Sequence, residues 1–284
     1  MFVVIGYVFM CVCIFGAYAA HGGHLAVLWQ PSEIVIIFGG GLGAMLVAYG
    51  PNLKVIFGSI PLLFKGSPYG KAFYMDLFAL MYEILSKVRK EGLMSIEGDV
   101  ENPDASPMFA KYASIAKDHH VVEFICDYLR LMVGGNLNAF EIENLMDVEI
   151  ETHHHEAEIP VGFFQKLGDG LPAFGIVAAV MGVVHTMGSL HLPPTELGKL
   201  IGAALVGTFM GILLAYGFIN PLAWILDGKA ADSTRVFQTI KVTLLASLNG
   251  YAPQVAVEFG RKAMEGRIRP SFLELEEFVK NKKG

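Results

Sequence analysis

The stretch LPAFGIVAAVMGVVHTMGSL, Leu171 to Leu190, runs for twenty residues without an Asp, Glu, Lys or Arg. A run that long must satisfy its peptide groups internally, and as a helix it covers about 30 Å, the thickness of a bilayer's hydrocarbon core. Three more stretches share the character: Met1 to Ala20, Ile34 to Tyr49 and Leu200 to Ile219. The second is the shortest and is rich in glycine. With 54% hydrophobic residues, 17% charged residues and a mean hydropathy of +0.50, the chain is too apolar for an ordinary soluble domain. The expected fold class is all-α, a polytopic membrane protein with four transmembrane helices and a large helical cytoplasmic domain.

Basic residues set the expected orientation. Lys54, Lys65, Lys166 and Lys229 flank the apolar runs, whereas the loop between the first two runs has no Lys or Arg. The positive-inside rule then places both termini and the middle segment in the cytoplasm, with two short loops outside. The expected divisions are 1–50 for the first two spans, 51–170 for a cytoplasmic block, 171–222 for spans three and four, and 223–284 for a cytoplasmic tail. "AYA" at Ala17 to Ala19 fits a signal-peptidase site, but no Lys or Arg precedes the run, so a membrane span is the better reading. The net charge is −6 with acids and bases interleaved, which excludes a nucleic-acid binder. Cys11, Cys13 and Cys126 form no C-x-x-C pattern, which speaks against disulfides and structural zinc.

The cytoplasmic block reads as helical. Phe73, Leu77, Leu80, Met81, Ile84, Leu85 and Val88 form one broad apolar face, and Gly92 ends that helix. A loop is expected at SIEGDVENPDASP, with Gly98, Pro103 and Pro107 as breakers. A second helix is expected from about Ala116 to Val133, stopped by Gly134 and Gly135. Asn138 and Glu141 then make a variant capping box for a third, with a break expected at Pro160.

Function has to be read from segments that lack charge. No span carries an ionisable acid or base in its interior, and Glu33 stands at an edge. Intramembrane charges mark ion paths, so their absence argues against a self-sufficient pump. His185 near the end of the third span reads as an interfacial or bundle-facing side chain. Gly175, Ala179 and Gly182 share a helical face in span three, and Gly207 and Gly211 form G-x-x-x-G in span four, beside Thr208. Such faces let helices approach closely, either within the chain or against neighbours. Pro172 and Pro221 bracket the pair, as helix punctuation or as hinges. His153, His154 and His155 are consecutive and cannot converge on one metal from a helix, so a solvated helix or loop is expected there.

LPAFGIVAAVMGVV, VGTFMGILLAYGFINPLA, VTLLASLNGYAP and AVEFGRK resemble the flagellar stator MotA family, within the MotA/TolQ/ExbB superfamily. KAFYMDLFALMYEILSKVRKEG, ENP, DYLRLMVGGNLNAFEIENLMDVEIETH and RPSFLELEE resemble the same family, so the likeness spans nearly the whole chain. The resemblance implies an inner-membrane motor subunit that is not an enzyme. It implies a homopentamer around a MotB dimer, with MotB supplying both the ion-carrying aspartate and the peptidoglycan anchor. Pro172 and Pro221 match the family's prolines at the start of span three and the end of span four. Arg89 and Glu97 match the charged pair that engages the rotor protein FliG. Sodium-driven relatives carry a threonine where this chain has Ala179, and Thr208 occurs in both kinds. A methyl group offers sodium no oxygen, so the implied ion is a proton, and no cofactor is implied. The alternatives are an ExbB or TolQ type energy transducer, whose relatives have three spans, and a stand-alone transporter, which needs polar groups at mid-membrane.

Overall fold

The computed structural model describes residues 2–135 and 137–282. Among these there is no β-strand. Ten helices longer than ten residues follow one another: α1 Phe2–Ala20, α2 Pro31–Tyr49, α3 Leu53–Phe64, α4 Lys71–Glu91, α5 His119–Gly134, α6 Ala139–Met187, α7 Pro194–Ile212, α8 Asn220–Leu248, α9 Pro253–Ala263 and α10 Phe272–Lys282. A seven-residue π-helix, Leu213–Ile219, joins α7 to α8. Four helical stretches are long and apolar enough to cross a membrane: Phe2–Ala20, Leu25–Phe64, Ala139–Met187 and Pro194–Leu248.

Packing divides the chain into two compact units. The first comprises Met1–Gly66 and Ala157–Gly228, the second Ser67–Glu156 and Lys229–Gly284. Divisions at 50 and 222 follow the ends of apolar runs, and the division at 170 precedes the start of one. Packing changes elsewhere because the helices continue past those runs.

In the first unit α6 and α7 approach each other closely. A methyl group at Gly175 would lie 2.8 Å from the Gly207 carbonyl and 3.1 Å from the Gly211 Cα. One at Gly182 would lie 2.7 Å from the Ala204 Cβ. The small-residue faces therefore pack within the chain, backbone against backbone. Larger side chains fill the rest of the core, among them Ile37, Ile56, Leu167 and Leu171. Helix α1 buries none of its residues, and Ile176, Val180, Val184, Leu205 and Ile212 are exposed. An apolar surface of that extent belongs against lipid or other protein.

The second unit is built on α4, whose apolar face buries Phe73, Leu77, Phe78, Leu80, Met81, Ile84 and Leu85. Gly92 ends α4 with φ at 85°, a conformation glycine adopts without a steric cost. Helix α5 starts at His119, later than the apolar pattern suggests, because the Asp118 carboxylate accepts from the Val121 amide. It ends on Gly135 in the left-handed region. The capping box at the start of α6 is formed. Asn138 Oδ1 accepts from the amides of Phe140 and Glu141, and Glu141 accepts from the Asn138 amide.

Three expectations need correction. The segment after Gly92 is not an open loop. It is a chain of short helical turns, Leu93–Ile96, Glu97–Glu101, Pro103–Ala105 and Pro107–Ala110. Pro103 and Pro107 start turns instead of breaking them, because a first-turn proline lacks only an amide that had no partner. Pro160 does not break α6, which runs on to Met187. Pro160 and the next turn's Val161, Phe163 and Phe164 are buried, so packing carries the helix across the missing hydrogen bond. The histidine run is only partly solvated. His155 is exposed, but His153 packs edge-on against Phe237 at 4.5 Å and bonds the Ser233 hydroxyl at 2.8 Å. His154 meets the Thr234 hydroxyl at 3.1 Å. Thr234 gives its own proton to the Ala230 carbonyl, so His154 Nδ1 is the donor in that pair.

Candidate ion-path and rotor-facing sites

Pro172 lies inside α6 and Pro221 in the first turn of α8, which continues directly from the π-helix. Pro172 leaves the Gly168 carbonyl without its α-helical donor four residues on. The Asn220 side chain occupies the space a side chain on Gly168 would need. Asn220 is buried, its Oδ1 has no hydrogen-bond partner among the described residues, and it immediately precedes Pro221. The segment one turn before Pro172 thus meets the residue before Pro221, Gly168 against Asn220. The π-helix ends just before Pro221. Its longer repeat shifts the hydrogen-bond register ahead of a residue that cannot donate, as wide turns in front of prolines commonly do.

Ala179 in α6 and Thr208 in α7 are half-buried, and Thr208 follows Gly207 in sequence. A methyl group at Gly207 would come within 3.1 Å of the Ala179 amide nitrogen, which ties these positions to the same crossing. The structure adds an acid there. Glu33, in the first turn of α2, is only 8% exposed. Its Oε2 lies 2.6 Å from the Cβ position of Gly207 and has no hydrogen-bond partner among the described residues.

Arg89 sits in the last turn of α4, and Glu97 opens the Glu97–Glu101 helix beyond the turn at Gly92. Both side chains are exposed. The platform beneath them is fixed. Lys87 bonds Asp99 at 2.8 Å, and the Ser106 hydroxyl donates to Asp99 at 2.6 Å. Burial works to raise Asp99, but the bonds from Lys87 and Ser106, with the charge of Lys87, outweigh it and hold the carboxyl below its usual range. No cluster of His, Cys, Asp or Glu suited to a metal occurs among the described residues.

Glu33, Asn220 and the π-helix were not anticipated from the sequence. Glu33 looks like an acid complementing a helix N-terminus, and the amino-acid order does not show that Gly207 on α7 leaves a space for it. Asn before Pro hints at a boundary, yet here the helix continues.

The sequence profile of the family described as Motility protein A N-terminal matches residues 4–92. That of the MotA/TolQ/ExbB proton channel family matches residues 117–239. Motility protein A of Salmonella typhimurium is 55% identical over 99% of this chain and 95% of its own length. Motility protein A of Escherichia coli is 54% identical over the same shares. Among solved structures, C. jejuni MotAB has a TM-score of 0.77 at 18% identity, covering 95% of this chain and 98% of the matched one. The flagellar MotAB stator complex from Bacillus subtilis has a TM-score of 0.70 at 24% identity, covering 90% and 92%. Those two likenesses concern the fold, whereas the sequence identities show the family. The chain belongs to the motility protein A family.

Proposed function

We propose that this chain is a stator subunit of the bacterial flagellar motor. It assembles with MotB into a proton channel whose ion flow turns the rotor. The observation that carries the reading is identity of 55% across nearly the whole chain to a motility protein A. The profile over 4–92 is that of motility proteins, which favours this reading over an ExbB or TolQ transducer even though the profile over 117–239 is shared.

In this reading the subunit sits in the inner membrane with both termini in the cytoplasm. Five copies surround a MotB dimer, whose aspartate carries the ion. A proton moved through the membrane potential supplies about 2.3 kcal/mol per 100 mV. Protonation removes a charge from the partner helix beside an apolar collar, so the preferred position of the collar changes. Repeated cycles step the collar around its axis. Pro172 and Pro221, together with the π-helix and the Gly168–Asn220 contact, are the places where α6 and the α7–α8 helix bend most readily. Arg89 and Glu97 meet complementary charges on FliG, a contact that steers and releases without locking.

Reversing both charges, Arg89→Glu with Glu97→Lys, tests the rotor contact in a strain lacking its own stator. Swimming is expected to fall sharply while membrane abundance stays level, because exposed substitutions of this kind change stability by about 0.5 kcal/mol or less. Normal swimming by the double variant at normal abundance contradicts the rotor role.

A further inference from the structure

Among the described residues, Glu33 is the acid that is buried in the packing of the first unit's spans. Its depth follows from helix geometry. Ala179 is eight residues from the end of α6 at Met187, and Gly207 is seven residues into the apolar run that begins at Leu200. At 1.5 Å per residue, Ala179 lies about 12 Å in from the end of α6, and Gly207 lies about 10 Å into the apolar run and about 20 Å from the start of α7 at Pro194. Glu33 meets α7 at that level, so the first turn of α2 opens well inside the span. The surroundings are small and uncharged. A methyl group at Gly207 would touch Glu33 Oε2 at 2.6 Å, the Ala178 Cβ at 3.1 Å and the Ala179 amide at 3.1 Å.

Among the described residues, His24 precedes the Leu25–Leu28 turn that packs on α7, and no Asp, Glu, Lys or Arg lies within seven residues of Ala178 on α6 or of Gly207 on α7. Along α6 the nearest titratable side chain is the exposed His185, about 10 Å beyond Ala178. Along α7 it is Lys199, about 12 Å before Gly207, already paired with Glu196 at 2.9 Å. A carboxyl oxygen enclosed without a partner must hold a proton or face a cation, because bare charge is costly in an apolar setting. At the contact with Gly207 the adjoining residues are Ala178 and Ala179, whose methyl side chains offer a cation no oxygen.

We propose that Glu33 is a proton-exchanging site of the stator, distinct from the acid supplied by the partner and placed beside the Ala179–Thr208 level. The step is the making and breaking of one O–H bond. Water delivers a proton to the carboxylate, the neutral acid fits the space over Gly207, and the proton returns to water when α2 moves off α7. This inference rests on the stator reading. It makes α2, and not only α6 and α7, part of the ion path.

The test uses the complete complex with its MotB partner. The Glu33→Gln variant keeps the shape and cannot titrate, while Glu33→Asp keeps the acid. Infrared difference spectra of the purified complex between acidic and alkaline pH should contain a carboxyl signal that Glu33→Gln removes. In a stator-less strain, wild type must first restore swimming; failure there counts against the stator reading itself. Given that restoration, Glu33→Gln should lower swimming speed and flatten its dependence on external pH, and Glu33→Asp should retain part of both. An unchanged spectrum together with wild-type speed at every pH in Glu33→Gln overturns the proposal. If Glu33→Gln fails to assemble, Glu33→Asp decides, since recovered pH dependence supports the site and its absence contradicts it. Loss of assembly in both variants also counts against it, since the residue is then purely structural.

Discussion

The two units solve the packing problem in opposite ways. In the second, bulky side chains interlock: Tyr74, Phe78, Phe109, Phe124 and Tyr128 are almost fully enclosed, and charged pairs such as Lys87–Asp99 line the periphery. In the first, the decisive contacts are between backbones, at Gly175, Gly207 and Gly211, while Ile176, Val180, Val184 and Leu205 stay outside. A water-soluble unit gains most from removing apolar area from water. In lipid that gain is absent, so close approach of helices replaces it. The contrast teaches where each unit tolerates change. The second depends on volume, the first on the absence of volume.

Substitutions that remove and add bulk break this comparison most directly. Phe78 is 0% exposed and lies beneath Gly260. Phe78→Ala is expected to cost about 3–5 kcal/mol, read as a lowered denaturation midpoint of the full chain in detergent. In the first unit the opposite change does the damage. Gly175→Val places atoms against the Gly207 carbonyl and should cost about 1–3 kcal/mol, whereas Gly43→Val, with open space around it, should be close to neutral. Equal effects of the two glycine variants on thermal stability in detergent would remove the distinction between the units.

A smaller effect separates the units by pH. Burial, and then the charge of His120, hold the His153 imidazole below its ordinary value of 6.5. Asp118 and Glu156 act in the other direction, and His154 adds to the lowering. The folded pKa being depressed, the unfolded chain binds more protons near and below 6.5, so stability is full above that value and declines as pH falls through it. Melting of the full chain at about pH 8 and about pH 5 should show this decline, and His153→Gln should lessen it. A slope that His153→Gln leaves unchanged assigns the effect to other groups.

Much of this architecture was legible in the order of residues. Charge-free runs marked the four spans, the spacing of Leu77, Leu80, Met81 and Ile84 marked the buried face of α4, and Asn138 with Glu141 marked the start of α6. These signals are local, set by periodicity and by one or two hydrogen bonds. What was not legible depends on contacts distant in sequence. Pro160 sits in a helix because surrounding packing outweighs its missing amide. His153 is half-buried because Phe237 and Ser233 come against it from α8. Glu33 looked like an edge residue because the space it fills is defined by a glycine on another helix. Pro172, Pro221, Ala179 and Thr208 stood out in the residue pattern, and their roles, like those of Arg89 and Glu97, came from family likeness; Ala179 lies at the α6–α7 crossing, and Arg89 and Glu97 are exposed.

Proton influx into liposomes containing the purified chain alone tests the central claim most directly, with a protonophore added at the end to calibrate the response. On the proposed reading the acid that handles the ion belongs to the partner, so influx should match that of empty liposomes. Sustained influx well above that background, with no partner present, would contradict the account.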